Sequence, residues 1–250
     1  MSIGKKILIG IMIVCVVMAA YFGYAAFKED KPYRDSEQKT EKVKEDFIAS
    51  GDEKDSPLER QIDFKGLRDI NVDIVGWIYI PGTGIDYPIC QGTDNEYYLN
   101  HDFTKAFNPL GAIYMDFKEA ADFSGLHTLV YGHYVNESQL FGELSKYNDP
   151  AFGKEHSSIY IYTPKQAIRY QIFSVETISS NNEIYNIQFK EETKEKYKEW
   201  IKDSIENALY KETVIPTETD KTLTLSTCTS EYSETSRFVV HSLGIEFKQQ

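Results

Sequence analysis

Cysteine is scarce in this chain. Its 250 residues hold three, Cys15, Cys90 and Cys228, beside four methionines. So low a count excludes a disulfide-stapled scaffold. No Cys/His spacing suits a structural zinc, so neither a metal nor a cofactor is expected. Basic residues are also short, 27 Lys and Arg against 39 Asp and Glu for a formal charge of −12. Nucleic acid is thereby excluded as a partner, since binding it needs a basic footprint. No internal repeat is evident, which sets aside solenoids and arrays.

Long apolar runs are absent but for one. Ile7 to Phe27 is 21 residues without a charge, enough to cross a bilayer. Lys5 and Lys6 precede it, whereas Lys28, Glu29, Asp30 and Lys31 follow with no net charge. The positive-inside rule then places residues 1–6 in the cytoplasm and the remainder outside. Gly23-Tyr24-Ala25 could serve as a signal-peptide cleavage site. The run is longer than a secretory apolar core, which favours an uncleaved anchor over 7–27. Residues 28–56 are strongly charged and read as a stalk, with Pro32 and Gly51 as breaks and a thin-faced helix over Glu37–Ile48. The folded domain spans 57–250. The expected location is the cell membrane, single-pass, with that domain on the extracytoplasmic side. Cys15 falls in the anchor. Cys90 and Cys228 remain for the exported part, either as a disulfide or with a reactive thiol.

Leu58, Ile62, Leu67 and Ile70 suggest an amphipathic helix entering the domain, interrupted near Gly66. Short strands follow: Ile74–Ile80, Ile85–Cys90, an alternation of Ile113, Met115 and Phe117, and Thr128–Tyr131. Ile159–Tyr162 and Ile168–Val175 read as a hairpin around Pro164-Lys165. One strand ending at Cys228 and one beginning at Arg237 complete eight, which makes the chain mainly β, a closed barrel or a sandwich. Two insertions read as helices, Gln139–Tyr147 and Lys190–Leu209. The second carries an apolar stripe of Tyr197, Trp200, Ile201, Ile205 and Leu209, and it could wall a groove leading to Cys228. Asn136-Glu137-Ser138 matches a glycosylation sequon but is discounted.

The chemistry concentrates in Thr222-Leu223-Thr224-Leu225-Ser226-Thr227-Cys228. Leu223 and Leu225 face a core, so Thr224, Ser226 and Cys228 share the opposite, accessible face. Arg237 opens the next strand and brings a permanent cation back toward the thiol, an environment that favours thiolate. A nucleophilic cysteine also needs an acid–base partner and an oxyanion donor. His101 and His156 sit in polar loops, and His127 begins a strand. His133 emerges past a strand end at Gly132, where a rigid scaffold presents a loop residue. It ranks first and His241 second, with little between them.

Thr224-Leu225-Ser226-Thr227-Cys228 with its following arginine, together with Tyr131-Gly132-His133, resembles the sortases, cysteine transpeptidases of Gram-positive cell surfaces. Longer stretches resemble class B members: Asn71–Ile78, Asp94–Leu99, Gly132-His133 running into Leu140–Leu144, and Ser233-Glu234-Thr235 before Arg237. The likeness covers roughly Leu58 to the C-terminus. It implies an eight-stranded sortase-type β-barrel with N-terminal helices and a helix inserted before the seventh strand. It implies Cys228 as nucleophile, His133 as general acid/base, and Arg237 as substrate-positioning and oxyanion-stabilising group. Asn95, Leu99 and Ser226 would line the sorting-signal groove. The implied partners are secreted proteins bearing a sorting signal, an amine of the peptidoglycan cross-bridge or its lipid-linked precursor, and the cytoplasmic membrane. On the residues alone two rivals stay open: a secreted cysteine peptidase releasing its acyl group to water, and a surface-binding domain with an inert Cys228.

Overall fold

The period-two segments from Ile74 onward become strands, and their pairing decides where the chemistry can sit. The structure, a computed structural model, describes residues 3–49, 57–135, 139–186, 188–210, 213–230 and 233–249. The strands are β1 (Ile74–Tyr79), β2 (Asp86–Cys90), β3 (Ile113–Met115), β4 (His127–Tyr131), β5 (Tyr134–Val135), β6 (Gln139–Leu140), β7 (Ser158–Tyr162), β8 (Gln166–Ser179), β9 (Thr222–Cys228) and β10 (Ser236–Gln249). Eight of them close a barrel in the order β1-β2-β3-β4-β9-β10-β8-β7, β1 pairing β7, and β5 pairs with β6 as a separate ribbon. Closure leaves the barrel no free edge. The barrel choice over a sandwich is thus resolved. Two of its contacts, β2 with β3 and β4 with β9, are parallel.

The chain divides into two compact units, Met1–Lys42 and Val43–Gln250. In the first, α1 (Ile3–Glu29) has 27 residues, about 40 Å at helical rise. Among the described residues it is the one helix long and apolar enough to cross a membrane. Helix α2 (Lys31–Phe47) starts earlier than the expected Glu37. Pro32 does not break it, because a first-turn residue needs no amide hydrogen.

In the second unit the entering helix is two pieces, a 3-10 turn Pro57–Glu59 and α3 (Phe64–Ile70). The interruption lies at residues 60–63 rather than at Gly66, because Asp63 caps α3 by accepting from the Gly66 amide. Leu58 and Leu67 are buried while Ile70 is exposed. Arg60 docks this segment on the barrel with a two-pronged pair to Asp86, which also accepts from the Trp77 indole. Trp77, Leu67, Tyr98 and Tyr162 are fully buried in one cluster.

Three expectations need correction. Phe117 lies beyond β3, exposed, where the chain leaves the sheet. Gln139–Tyr147 is not an α-helix: β6 is followed by a 3-10 helix, Phe141–Asn148. Phe141, Leu144 and Tyr147 are its fully buried residues, a three-residue repeat that only the tighter helix places on one side. The Lys190–Leu209 insertion shortens to a 3-10 turn, Glu191–Thr193, and α5 (Lys194–Glu206), leaving Leu209 outside and exposed. Helix α4 (Pro150–Glu155) was not anticipated. The Asn136–Ser138 sequon and residues 50–56 of the stalk lie outside the described residues.

Candidate active site

Topology brings three distant residues to one rim. Parallel pairing of β4 and β9, with Tyr131 opposite Ser226, makes both strands end on the same side. Gly132-His133 therefore leaves β4 beside Thr227 and Cys228, and the Gly132 amide donates to the Ser226 carbonyl at 3.2 Å. A Cβ on Gly132 would stand 2.5 Å from Ile113 and 2.6 Å from Phe141, so only glycine lets the chain turn this close to the barrel. Antiparallel pairing of β9 and β10 sets Arg237 directly across from Cys228. His133, Cys228 and Arg237 line one groove of about 340 Å³, together with Asn95, Leu99 and Ser226. Cys228 is partly exposed, and Cys15, Cys90 and Cys228 are all free. The disulfide alternative is set aside, since Cys90 is fully buried with Asn71 and Tyr98 about it. Burial pushes the Cys90 thiol far up, so it is inert.

The groove side chains are held by partners from elsewhere in sequence. The imidazole of His133 points Nε2 at the Leu99 carbonyl, 2.8 Å away, which assigns the proton to that nitrogen in the neutral ring. One guanidinium nitrogen of Arg237, Nη1, donates to the carbonyls of Ser233, Glu234 and Ser236. Asn95 is committed at both ends: Nδ2 donates to Asp116 and Oδ1 accepts from the Phe117 amide. The same Asp116 carboxylate accepts from the Tyr131 hydroxyl at 2.9 Å. Ser226 is buried and shares a 2.9 Å hydrogen bond with the Tyr185 hydroxyl. Burial pushes the Tyr185 phenol up to about 12, partly offset by the Ser226 hydrogen bond and the Arg237 charge.

The face of β9 opposite Leu223 and Leu225 is not accessible along its length, contrary to expectation. Thr222 pairs with the Tyr197 hydroxyl. Thr224 bridges His127 Nε2 at 2.8 Å and His241 Nδ1 at 2.7 Å. His241 Nε2 lies 3.0 Å from Glu176 Oε1. The segment between β8 and β9 covers this row, and only Cys228, at its end, escapes cover. His241 is fully buried with Trp200 edge-on to it, which separates it from His133. The groove wall also differs from expectation. It is Ser180 and Tyr185, in the turn ahead of α5, and not α5 itself, that border the thiol.

Tyr114, Tyr185 and Asp116 went unread in the sequence, and Tyr131 was read only as a strand end and part of the Tyr131-Gly132-His133 motif. Tyr131 directly precedes Gly132-His133, a signal that was present. Tyr185 carries no local signal.

Comparison with known proteins follows the same residues. A family model described as the sortase domain matches residues 78–243. Sortase B of Staphylococcus aureus is 30% identical over 239 residues, 94% of this chain and 95% of that protein. Sortase B of Listeria monocytogenes is 30% identical over 179 residues, covering 71% of this chain and 72% of its own. The crystal structure of the S. aureus enzyme superposes with a TM-score of 0.68 at 33% identity, over 73% of this chain and 86% of that one. With sequence and fold agreeing across the strands that frame the groove, the chain belongs to the sortases, in class B, and is a cysteine transpeptidase of that family.

Proposed function

We propose that Cys228 is the nucleophile, His133 the acid–base group and Arg237 the oxyanion donor of a two-step acyl transfer. The sortase family acts on surface proteins bearing sorting signals and uses cell-wall amines as acceptors. In the first step the Cys228 thiolate adds to the carbonyl carbon before the scissile bond of a C-terminal sorting pentapeptide. The C–N bond then breaks, protonated His133 delivers its proton to the departing amine, and a thioester remains. In the second step an amine of the cross-bridge or its lipid-linked precursor displaces the thiolate. Arg237 cannot act as a base, because its guanidinium stays protonated. It serves by aiming N–H groups at the oxygen on which charge develops.

One observation carries this reading: a partly exposed thiol lies cross-strand from an arginine, and a histidine held by a backbone carbonyl shares their groove. The peptide lies along Leu99 and the tyrosines. Asn95 and Ser226 line the same groove, held there by Asp116 and Tyr185 respectively. Residues 1–6 are cytoplasmic, 7–27 anchor the chain once across the membrane, 28–56 hold it off, and 57–250 are catalytic on the extracytoplasmic face. The apolar length of α1 supports the anchor.

The test is a peptide-library cleavage screen with the full chain in detergent, with Cys228→Ala as control. Cleavage of a defined pentapeptide class, a thioester adduct on Cys228 by mass spectrometry, and loss of both in the control are expected. Equal thiol-directed labelling of Cys90 and Cys228 without cleavage would overturn the reading.

A further inference from the structure

Away from the thiol, a cavity of about 300 Å³ lies between β8 and α5. It shares a wall with the catalytic groove: Asn182 and Glu183 line the cavity, while Ser180 and Tyr185 of the same turn border the groove. From α5 come Lys196, Glu199, Trp200, Asp203 and Ser204, one stripe at three- and four-residue spacing. The charge is lopsided. Four carboxylates, on Glu176, Glu183, Glu199 and Asp203, face a single ammonium, that of Lys196. Glu183, Glu199 and Asp203 are exposed and stand at the mouth, whereas Glu176 is buried. Among the described residues neither these three nor Lys196 has an ion-pair partner.

An acidic rim by itself is only a solvated surface. What sets this one apart is Glu176 beneath it. The side chain is 10% exposed, and its Oε1 lies 3.0 Å from His241 Nε2. Oε2 has no hydrogen-bond partner among the described residues, yet it is not sealed off, and the residue lines the cavity. A carboxylate has room for about four hydrogen bonds, and a buried charge is stable only when paired. The free oxygen therefore lacks a cation, and the cavity is the way in for one.

We infer that this cavity binds a primary alkylammonium group, its charged head on Glu176 Oε2 and its methylene stem along Trp200 and Phe189, which also line the space. The geometry of the acceptor selects the cation. A guanidinium fork engages both oxygens of a carboxylate, and here His241 occupies one. An ammonium is a compact point charge, which a single oxygen can serve. A metal ion does not fit, since among the described residues no three Asp, Glu, His or Cys side chains are placed to share one. The mouth carboxylates draw cations toward the opening. The volume is at the small end for a ligand site, about 300 Å³, so it admits one chain end and no folded partner. Free polyamines and the lysine side chain of a peptide share this chemistry.

Trp200 supplies the readout, because the chain's other tryptophan, Trp77, is fully buried and donates to Asp86. Full-length chain in detergent at low salt is titrated with cadaverine, acetyl-lysinamide, its Nε-acetylated form, acetyl-argininamide and calcium, and tryptophan emission is followed. A saturable change is expected with cadaverine, with acetyl-lysinamide or with both, and whichever binds names the source. The acetylated and arginine compounds are expected to bind at least about tenfold more weakly, and calcium to give no saturable change. Glu176→Gln keeps an acceptor for His241 and is expected to raise Kd about tenfold, the worth of one hydrogen bond to a charged group. The exposed pair Glu199→Gln with Asp203→Asn spares the fold and is expected to raise Kd about fourfold, which keeps the test open if Glu176→Gln does not fold. No saturable change with either amine would overturn the site. So would equal binding of the acetylated or arginine compound, a saturable calcium response, or an unchanged Kd in the variants that fold.

Discussion

Arg237 holds a turn and, in the proposed mechanism, also donates to the oxyanion, two tasks that a lysine cannot combine. Its Nη1 holds the turn before β10 through three carbonyls, at 3.4, 3.3 and 3.0 Å. In the proposed mechanism the rest of the fork, which lines the groove, donates to the substrate oxygen. A lysine ammonium is one point charge without fork geometry. Arg237→Lys is expected to lower kcat/KM for peptide cleavage about hundredfold, the usual cost of one oxyanion donor, with an unchanged circular dichroism spectrum. Retained cleavage would remove arginine from the chemistry. Glu119 offers a second residue-scale test. Burial, reinforced by nearby Asp116, pushes its carboxyl up to about 7 from an ordinary 4.5. A raised carboxyl binds its proton more tightly when folded, so its contribution is full below about 4.5 and is lost as pH rises through about 7. Glu119→Gln, which imitates the protonated form, is expected to raise the melting temperature at pH 8 by a few degrees, ~2–4 °C, and to leave it unchanged at pH 4. Equal shifts at both would refute the assignment. Cys228 and Arg237 were legible because one hairpin joins them and parity alone predicts their facing. His133 and His241 were not separable, because what distinguishes them is cover: Trp200, some forty residues distant in sequence, lies over His241.

Strand β9 is the element on which the site is built, and its outer row is a series of hydroxyls, each with a partner from another element. Alternation in Thr222–Cys228 revealed the two faces. It could not reveal that the outer one is buried, because the partners Tyr185, Tyr197, His127 and His241 come from far along the chain. The 3-10 helix Phe141–Asn148 was misread for a related reason. Leu140 and Leu144 satisfy a four-residue spacing, and only packing selects the three-residue repeat of Phe141, Leu144 and Tyr147 instead. Thr224 is the centre of the row, fully buried between two imidazoles. Replacing it with valine keeps the shape and leaves two buried ring nitrogens without their partner. About 2–4 kcal/mol of stability is expected to be lost, from unsatisfied-group costs of about 1–3 kcal/mol each. Tyr197→Phe takes a donor from the Asp220 and Leu126 carbonyls, but Thr222 keeps a 3.5 Å approach to the Leu126 carbonyl and no ring nitrogen is stranded, so it should cost less. Urea melts of the two variants check the order, and a larger loss in the tyrosine variant would contradict it.

For the whole molecule, buried His127 shapes how acid unfolds the protein. His127 is enclosed by Phe189 and Trp200, and desolvation, with the nearby His241, pulls its imidazole down to about 3 from 6.5. The folded state keeps this ring neutral, whereas the unfolded chain protonates it below about 6.5. Stability is therefore lost as pH falls from about 6.5 toward 3, at up to about 1.4 kcal/mol per pH unit. Glu119 acts with opposite sign between about 4.5 and 7, so the two slopes oppose each other from pH 4.5 to 6.5. Stability should then change little in that interval and fall steeply only below pH 4.5. Gln is the informative replacement at 127, since its amide can still donate to Thr224 but cannot titrate. His127→Gln is expected to flatten the acid limb below pH 4.5 and to leave a decline from pH 4.5 to 7, the Glu119 term now unopposed. Adding Glu119→Gln should remove that decline as well. Denaturant midpoints at half-unit pH intervals give the slopes directly, and an acid limb as steep in His127→Gln as in the parent would place the proton-linked group elsewhere in the barrel.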